Sequence, residues 1–340
     1  MEQTDFARIL TRYLADFLPG QRNLSSNTIK SYRDTFKQLL LYLREEHGIR
    51  PECITFKDVT TDKIKGFMAW LEKTRNVSIN TRNQRLAAIH SFYRYAQAEC
   101  PDILYESQKI LGVPFKKRHY STIDYLTKDI LKFLLEQPDI STKKGRRDLV
   151  MMATLYDTGA RVQELIDLKV TDVRLTKPVT ITLTGKGNKK RCVPLMDKTH
   201  NVLQAYMEEN HLLENGRQQS PLFHNSRYQS FSRPGITYVL NKYFKMAKQN
   251  HPEAVFPEAI HPHMMRHTKA LHLLESGVNL IYIRDLLGHV SVTTTEIYLR
   301  ADTELKRAAL ESAYPEVVSK DIPVWTEDTD LLHWLKEFCR

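Results

Sequence analysis

Several features are missing from these 340 residues, and each absence removes a class of protein. No stretch approaches the roughly 18 to 20 uninterrupted apolar residues that a membrane span requires. The first thirty positions scatter Glu2, Asp5, Arg8, Arg12 and Asp16 among apolar residues, so the pattern of a secretory leader is not met and secretion is not expected. Cysteine is scarce: Cys53, Cys100, Cys192 and Cys339 stand far apart, with no C-x-x-C pair, and read as reduced thiols rather than a disulfide framework. There is no internal repeat, no low-complexity tract and no Walker loop, since Gly185-Lys186-Gly187 lacks that motif's spacer and its following Lys-Ser/Thr.

What is present is an ordinary globular composition, 41% hydrophobic and 26% charged, with a formal charge of +10. The length suits two cores better than one. Excess positive charge favours a polyanionic partner, because each neutralised phosphate releases condensed counterions. Nucleic acid leads, although many plain binders share such a charge.

Apolar spacing predicts four helices in the first hundred residues, each opened by a polar cap. The first covers about residues 4–18, with Phe6, Ile9, Tyr13 and Phe17 on one face, and Pro19-Gly20 is expected to stop it. The second starts at Ser25 or Ser26 and runs to Gly48, the third follows Thr60 or Thr61, and the fourth follows Ser78. Residues 112–124 hold Pro114 and the basic run Lys116-Lys117-Arg118-His119 without a sustained period, which places an interdomain linker there. Beyond it, helices near 128–136, 148–158 and 161–168 precede two β-rich runs, 179–184 and 191–195. Gly185 to Lys190 joins these as a hairpin, its glycines expected to supply positive φ. A catalytic domain over 125–315 and a tail over 316–340 complete the reading. The fold class is mainly α with a small β-sheet.

Three segments carry the chemistry, and each has a bland account when taken alone. In Thr158-Gly159-Ala160-Arg161-Val162-Gln163-Glu164-Leu165, Arg161 and Glu164 share a helix face, as a surface ion pair would. In His263-Met264-Met265-Arg266-His267, a capping or core histidine stands beside an arginine. Leu286-Leu287-Gly288-His289 is followed by Thr295-Glu296-Ile297-Tyr298, whose tyrosine could be a packed core aromatic.

Jointly, in this order and spacing, the segments resemble the signature of the tyrosine recombinases, or phage integrases, in their Xer-like bacterial branch. The resemblance covers about residues 1–314. It implies that Arg161 and Arg266 are the two catalytic arginines and Glu164 a supporting acid. Lys186 would be the hairpin lysine of G-K-G-x-K-x-R, His263 and His289 the two site histidines, and Tyr298 the nucleophile. The implied protein has a helical SAM-like core-binding domain (1–111) and a catalytic domain that close on DNA as a C-shaped clamp. The implied activity is site-specific recombination of the integrase or transposase type, in the bacterial cytoplasm with the nucleoid. Strands would be cleaved and rejoined through a 3′-phosphotyrosine link and a Holliday junction, without ATP or metal. The partner would be double-stranded DNA bearing an inverted-repeat site, with four protomers at synapsis and a monomer or dimer before it.

The chemistry asks for this set. A phosphodiester repels nucleophiles, and two guanidinium forks answer the charge on its non-bridging oxygens. His261, His263 and His267 lie close in sequence, but without a neighbouring cysteine or fourth ligand they do not read as a zinc site. For the duplex itself, Thr28, Lys30 and Arg33 on the second helix and Asn80, Thr81, Arg82 and Arg85 on the fourth are candidate contacts. Lys116, Lys117 and Arg118 in the linker, and Lys242, Lys245 and Lys248 after Tyr238, are further candidates, although a solvated face explains any one of them equally. The tail carries Leu331, Leu332, Trp334, Leu335 and Phe338, too apolar for a free end, and is expected to fold back on its own domain or to dock on a neighbouring subunit. A non-catalytic DNA-binding regulator and a type IB topoisomerase are the rival readings. The complete constellation disfavours the first, and the small helical first domain disfavours the second.

Overall fold

The computed structural model describes residues 3–117, 124–289 and 295, with only the backbone of Lys186. Tyr298, Arg118, His119 and the apolar tail lie outside the described residues. The chain divides into two compact units, 1–121 and 122–340. No helix among the described residues is long and apolar enough to cross a membrane.

The first unit is built from α1 (Asp5–Arg12), α2 (Ser26–His47), α3 (Thr61–Lys73), α4 (Ile79–Glu99) and α5 (Leu104–Leu111). Capping sets where four of them begin. Thr4, Ser25, Thr60 and Ser78 each accept a first-turn amide, from Ala7, Thr28, Lys63 and Thr81. The core is aromatic: the Phe92 ring meets Phe6, Tyr13 and Phe36 edge-on at 5.5, 5.3 and 5.0 Å.

Two expectations fail here. Pro19 does not stop the first helix, because a π-helical run, Tyr13–Gln21, carries the chain through it and closes with the Arg22 amide on the Phe17 carbonyl. The wider turn tolerates a residue with no N–H to donate. The domain also has a fifth helix, α5, whose Leu104 and Tyr105 face solvent and whose buried positions are only Ser107 and Ile110, so its sequence has almost no apolar stripe.

The second unit packs α6 (Lys128–Glu136), α7 (Lys143–Thr158), α8 (Val162–Ile166), α9 (Asp197–Glu209), α10 (Arg233–Asn250), α11 (Pro262–Glu275) and α12 (Leu280–Leu287) with a three-stranded antiparallel sheet. Its strands are β1 (Val173–Arg174), β2 (Thr180–Thr184) and β3 (Lys190–Pro194), in that spatial order. Ile181 and Leu183 of β2 and Val193 of β3 point into the core, and the β2 threonines alternate outward. Ile181 pairs with Val193 and Leu183 with Arg191, so Arg191 lies on the inner face. The hairpin turn bends at Gly187 (φ 74°) and Asn188 (φ 59°), whereas Gly185 has an ordinary φ of −96°. Only one of the two glycines supplies positive φ.

Candidate active site

The three motifs, 128 residues apart from Arg161 to His289 in sequence, meet at one place in the second unit. Helix α7 ends in the left-handed Gly159, Arg161 follows as the residue that opens α8, and Glu164 closes back on it. The Glu164 carboxylate accepts the Arg161 backbone amide at 2.8 Å through Oε2 and the Arg161 guanidinium at 2.8 Å through Oε1. Arg161 keeps 36% of its side chain exposed while Glu164 keeps 4%. The pair that sequence alone allows as a surface bridge is therefore a buried acid holding a half-exposed cation.

A second arginine shares that acid. Arg191, from the inner face of β3, donates to Glu164 Oε2 at 2.7 Å and Oε1 at 3.0 Å, and its Nε donates to the Leu286 carbonyl at 2.8 Å. Burial alone would raise the Glu164 carboxyl; the guanidinium of Arg191 and the amide and guanidinium of Arg161 overcome it and hold the group down at about 2. The root of the hairpin abuts this cluster, since a Cβ at Gly185 would stand 3.1 Å from Glu164 Oε1. Lys186 follows directly in the chain.

Arg266 is 2% exposed and ties the other two motifs together. Its Nη1 donates to the Gly159 carbonyl at 2.8 Å and its Nη2 to the Leu287 carbonyl at 2.6 Å. One guanidinium thus spans the turn before Arg161 and the turn before His289. One helical turn on, Lys269 makes a buried ion pair with Asp157 at 3.0 Å, with Tyr156 beneath the ammonium, and Asp157 also accepts the Met196 amide. These contacts pin α11 to α7. Lys269 and Asp157 are structural residues that sequence reasoning passed over, and Arg191, the last residue of the G-K-G-x-K-x-R motif, was given no role there. For Arg191 the signal was its place in the motif, while its inward direction comes from its pairing with the apolar Leu183.

The histidines have separate tasks. His261 caps α11, its Nδ1 accepting the Met264 amide at 3.1 Å, so the cap is two residues before His263. The rings of His263 and His267 lie 6.1 Å apart. His289 Nδ1 pairs with the hydroxyl of the buried Thr295 at 2.9 Å. Loss of hydration, followed by the charge of Arg266, holds His263 below the usual imidazole range, with His261 and Arg161 adding to the effect. Burial and the cations Arg266, Arg161 and Arg191 push His289 down to about 4, and burial with the neighbouring His263 and His261 does the same to His267. Rings that are neutral at pH 7 can donate a hydrogen bond without adding charge, and have a free nitrogen on which to take up a proton.

That arrangement sets a pH dependence. The unfolded imidazoles titrate near 6.5, so between pH 6.5 and about 4 the unfolded chain binds protons that folded His267 and His289 refuse. Stability is therefore expected to fall as pH drops through this window. Glu164 adds a separate loss only below about 4.5, continuing toward about 2. The Tm should decline between pH 7 and 5, with His267→Gln flattening the slope; a Tm constant across that range would contradict the assignment.

The candidate DNA contacts are dispersed. Lys30, Asn80, Lys117, Lys245 and Lys248 are exposed. Arg33 pairs with Asp34 at 2.8 Å, and the Thr28 and Thr81 hydroxyls bond to the capping Ser25 and Ser78. Arg85 is half-buried, and the Lys242 ammonium lies over the Tyr243 ring. Lys116 bonds to Glu72 at 2.6 Å. Arg82 is 6% exposed, donates to the Pro114 carbonyl and to Asn83, and faces Glu72 at 3.5 Å. It braces the chain leaving α5.

Residues 124–304 match the phage integrase family, and residues 10–100 match the phage integrase N-terminal SAM-like domain. The chain belongs to the phage integrase family, the tyrosine-type site-specific recombinases. It is 35% identical over 314 residues to y4rC of Sinorhizobium fredii, provisionally named an integrase/recombinase, covering 92% of this chain and 93% of that one. It is 31% identical over 300 residues to the tyrosine recombinase XerD of Oceanobacillus iheyensis, covering 88% and 94%. Among solved structures, the integrase of transposon Tn1549, in complex with transposon right end DNA, shares the fold with a TM-score of 0.67 at 18% identity, covering 88% of this chain and 97% of that one.

Proposed function

We propose that this recombinase cuts and rejoins double-stranded DNA at an inverted-repeat site through a covalent 3′-phosphate link to Tyr298, with four protomers at synapsis. The observation that carries the reading is the Arg266 guanidinium fastened to the carbonyls of Gly159 and Leu287. It links the turn before Arg161 to the turn before His289, which supports a single phosphate site served by both. In that place Arg161 and Arg266 donate to the non-bridging oxygens, each such donor contributing ~3 to 4 kcal/mol to the transition state. His289 adds a third hydrogen bond.

The phenol of Tyr298, ordinarily near pKa 10, loses its proton during attack, and neutral His263 is the acceptor. Lys186 gives a proton to the departing 5′ oxygen. The phosphotyrosine bond keeps the energy of the broken diester, so rejoining to another 5′ hydroxyl draws on neither ATP nor a metal. Lys30, Lys117 and Lys245, which are exposed, supply phosphate contacts that position the duplex.

The test is to trap the adduct in cells, digest the protein and sequence the DNA attached to it. The expected result is one modified peptide, bearing Tyr298, joined to DNA enriched in a short inverted repeat. Adducts on another residue, or DNA without a common sequence, would count against the reading.

A further inference from the structure

Arg191 lies outside the set of side chains assigned to the reaction, yet it touches two of the parts that hold them. It grips Glu164 with both terminal nitrogens, at 2.7 and 3.0 Å, and the Leu286 carbonyl with Nε at 2.8 Å. Its side chain is 12% exposed, so this is an enclosed contact with a fixed direction. Gly288 packs directly against it: a Cβ there would stand 3.1 Å from Arg191 Cδ and Nη1. His289 is the next residue.

We infer that Arg191 is a positioning residue of the cleavage reaction, setting Arg161 through the carboxylate they share and His289 through the end of α12. Two physical consequences follow from the sharing. A carboxylate with a single arginine gives that arginine its whole charge, whereas here one anion serves two cations and leaves one positive charge in excess. The planar fork of Arg191 also orients the Glu164 carboxyl group in its own plane, so that Oε1 meets the Arg161 guanidinium and Oε2 its backbone amide. A lysine in this position supplies the charge without the fork and without the Nε contact to Leu286. The inference rests on the reading that Arg161 meets the scissile phosphate.

The experiment measures single-turnover cleavage of a nicked duplex carrying either a normal phosphodiester or a neutral methylphosphonate at the scissile position. The variants are Arg191→Met, Arg191→Lys, Arg161→Ala and Arg161→Ala with Arg191→Met. Arg191→Met is expected to slow cleavage of the diester by about 10²-fold, the cost of a small misplacement, with duplex affinity unchanged. On the methylphosphonate, which lacks the charge that Arg161 neutralises, the defects of Arg191→Met and Arg161→Ala should both shrink. The double variant should be slower than Arg161→Ala alone by much less than the full Arg191→Met factor, the remainder reporting the path through His289.

A normal rate for Arg191→Met overturns the inference, and so does an equal loss on both substrates with additive effects in the double variant, which would mark a purely structural ion pair. If Arg191→Met fails to fold, Arg191→Lys decides: a slowed diester reaction with a smaller methylphosphonate defect supports positioning, and a normal rate overturns it. A normal diester rate for Arg161→Ala overturns the reading of Arg161 itself, and this inference with it. Impaired Arg161→Ala beside normal Arg191 variants overturns this inference alone.

Discussion

Replacing Tyr298 by phenylalanine is expected to abolish covalent attachment to DNA while leaving duplex binding nearly intact. The substitution removes one oxygen and keeps the ring, so packing around the side chain changes little and the basic surfaces that hold phosphate are untouched. The chemistry has no substitute. Without the phenol there is no oxygen to take the phosphorus, and loss of the nucleophile costs about 10⁶-fold even in a serine protease, an unrelated enzyme that also forms a covalent intermediate. The measurement is denaturing electrophoresis after incubation with a nicked duplex, in which the short released strand diffuses away and traps the adduct, together with a mobility-shift assay on the same site. An adduct of normal yield in Tyr298→Phe would remove Tyr298 from its role. Loss of affinity equal to the loss of adduct would instead make it a binding or packing residue, the bland alternative that the sequence itself allows.

How far such a site can be read from sequence depends on the range of the interaction. Thr4, Ser25, Thr60 and Ser78 are legible because a cap acts over three residues. Arg161 and Glu164 are legible for the same reason, although their burial is not: a surface ion pair and a buried one have the same spacing. The clamp of Arg191 on Glu164 spans 27 residues and depends on strand register, which no local period encodes. Arg82 is misleading in the opposite direction. Its position on α4 marks it as a polar helix residue, and only the return of Pro114 to its guanidinium, beside the adjacent Asn83, turns it into a buried brace. Helix α5 and the π-helical run through Pro19 escape because neither has the pattern of its type: the first has two buried positions, and the second continues where proline ordinarily ends a helix. The chemistry of the candidate site was thus more legible than its mechanics. Residue types at motif spacing announce a phosphate reaction, while the carbonyl anchors that hold those residues appear only in three dimensions.

Arg266 shows what those anchors are worth, through a substitution that keeps the charge. Arg266→Lys leaves a cation on α11 but cannot reach the Gly159 and Leu287 carbonyls together, since an ammonium has no fork. Each buried carbonyl left without its donor costs about 1 to 3 kcal/mol, so the Tm should fall. Cleavage should fall further, by about 10³-fold, because the lost donor at the phosphate is joined by a loosened link between the turns that carry Arg161 and His289. Duplex affinity, set by many exposed contacts, should change far less. Single-turnover cleavage and mobility shift on the same nicked duplex, at a temperature where the variant remains folded, separate these terms. Equal losses in cleavage and affinity would make Arg266 a simple phosphate anchor. A cleavage rate near that of the parent would mean that charge alone suffices at this position, and that the bolt between the two turns contributes nothing to the reaction.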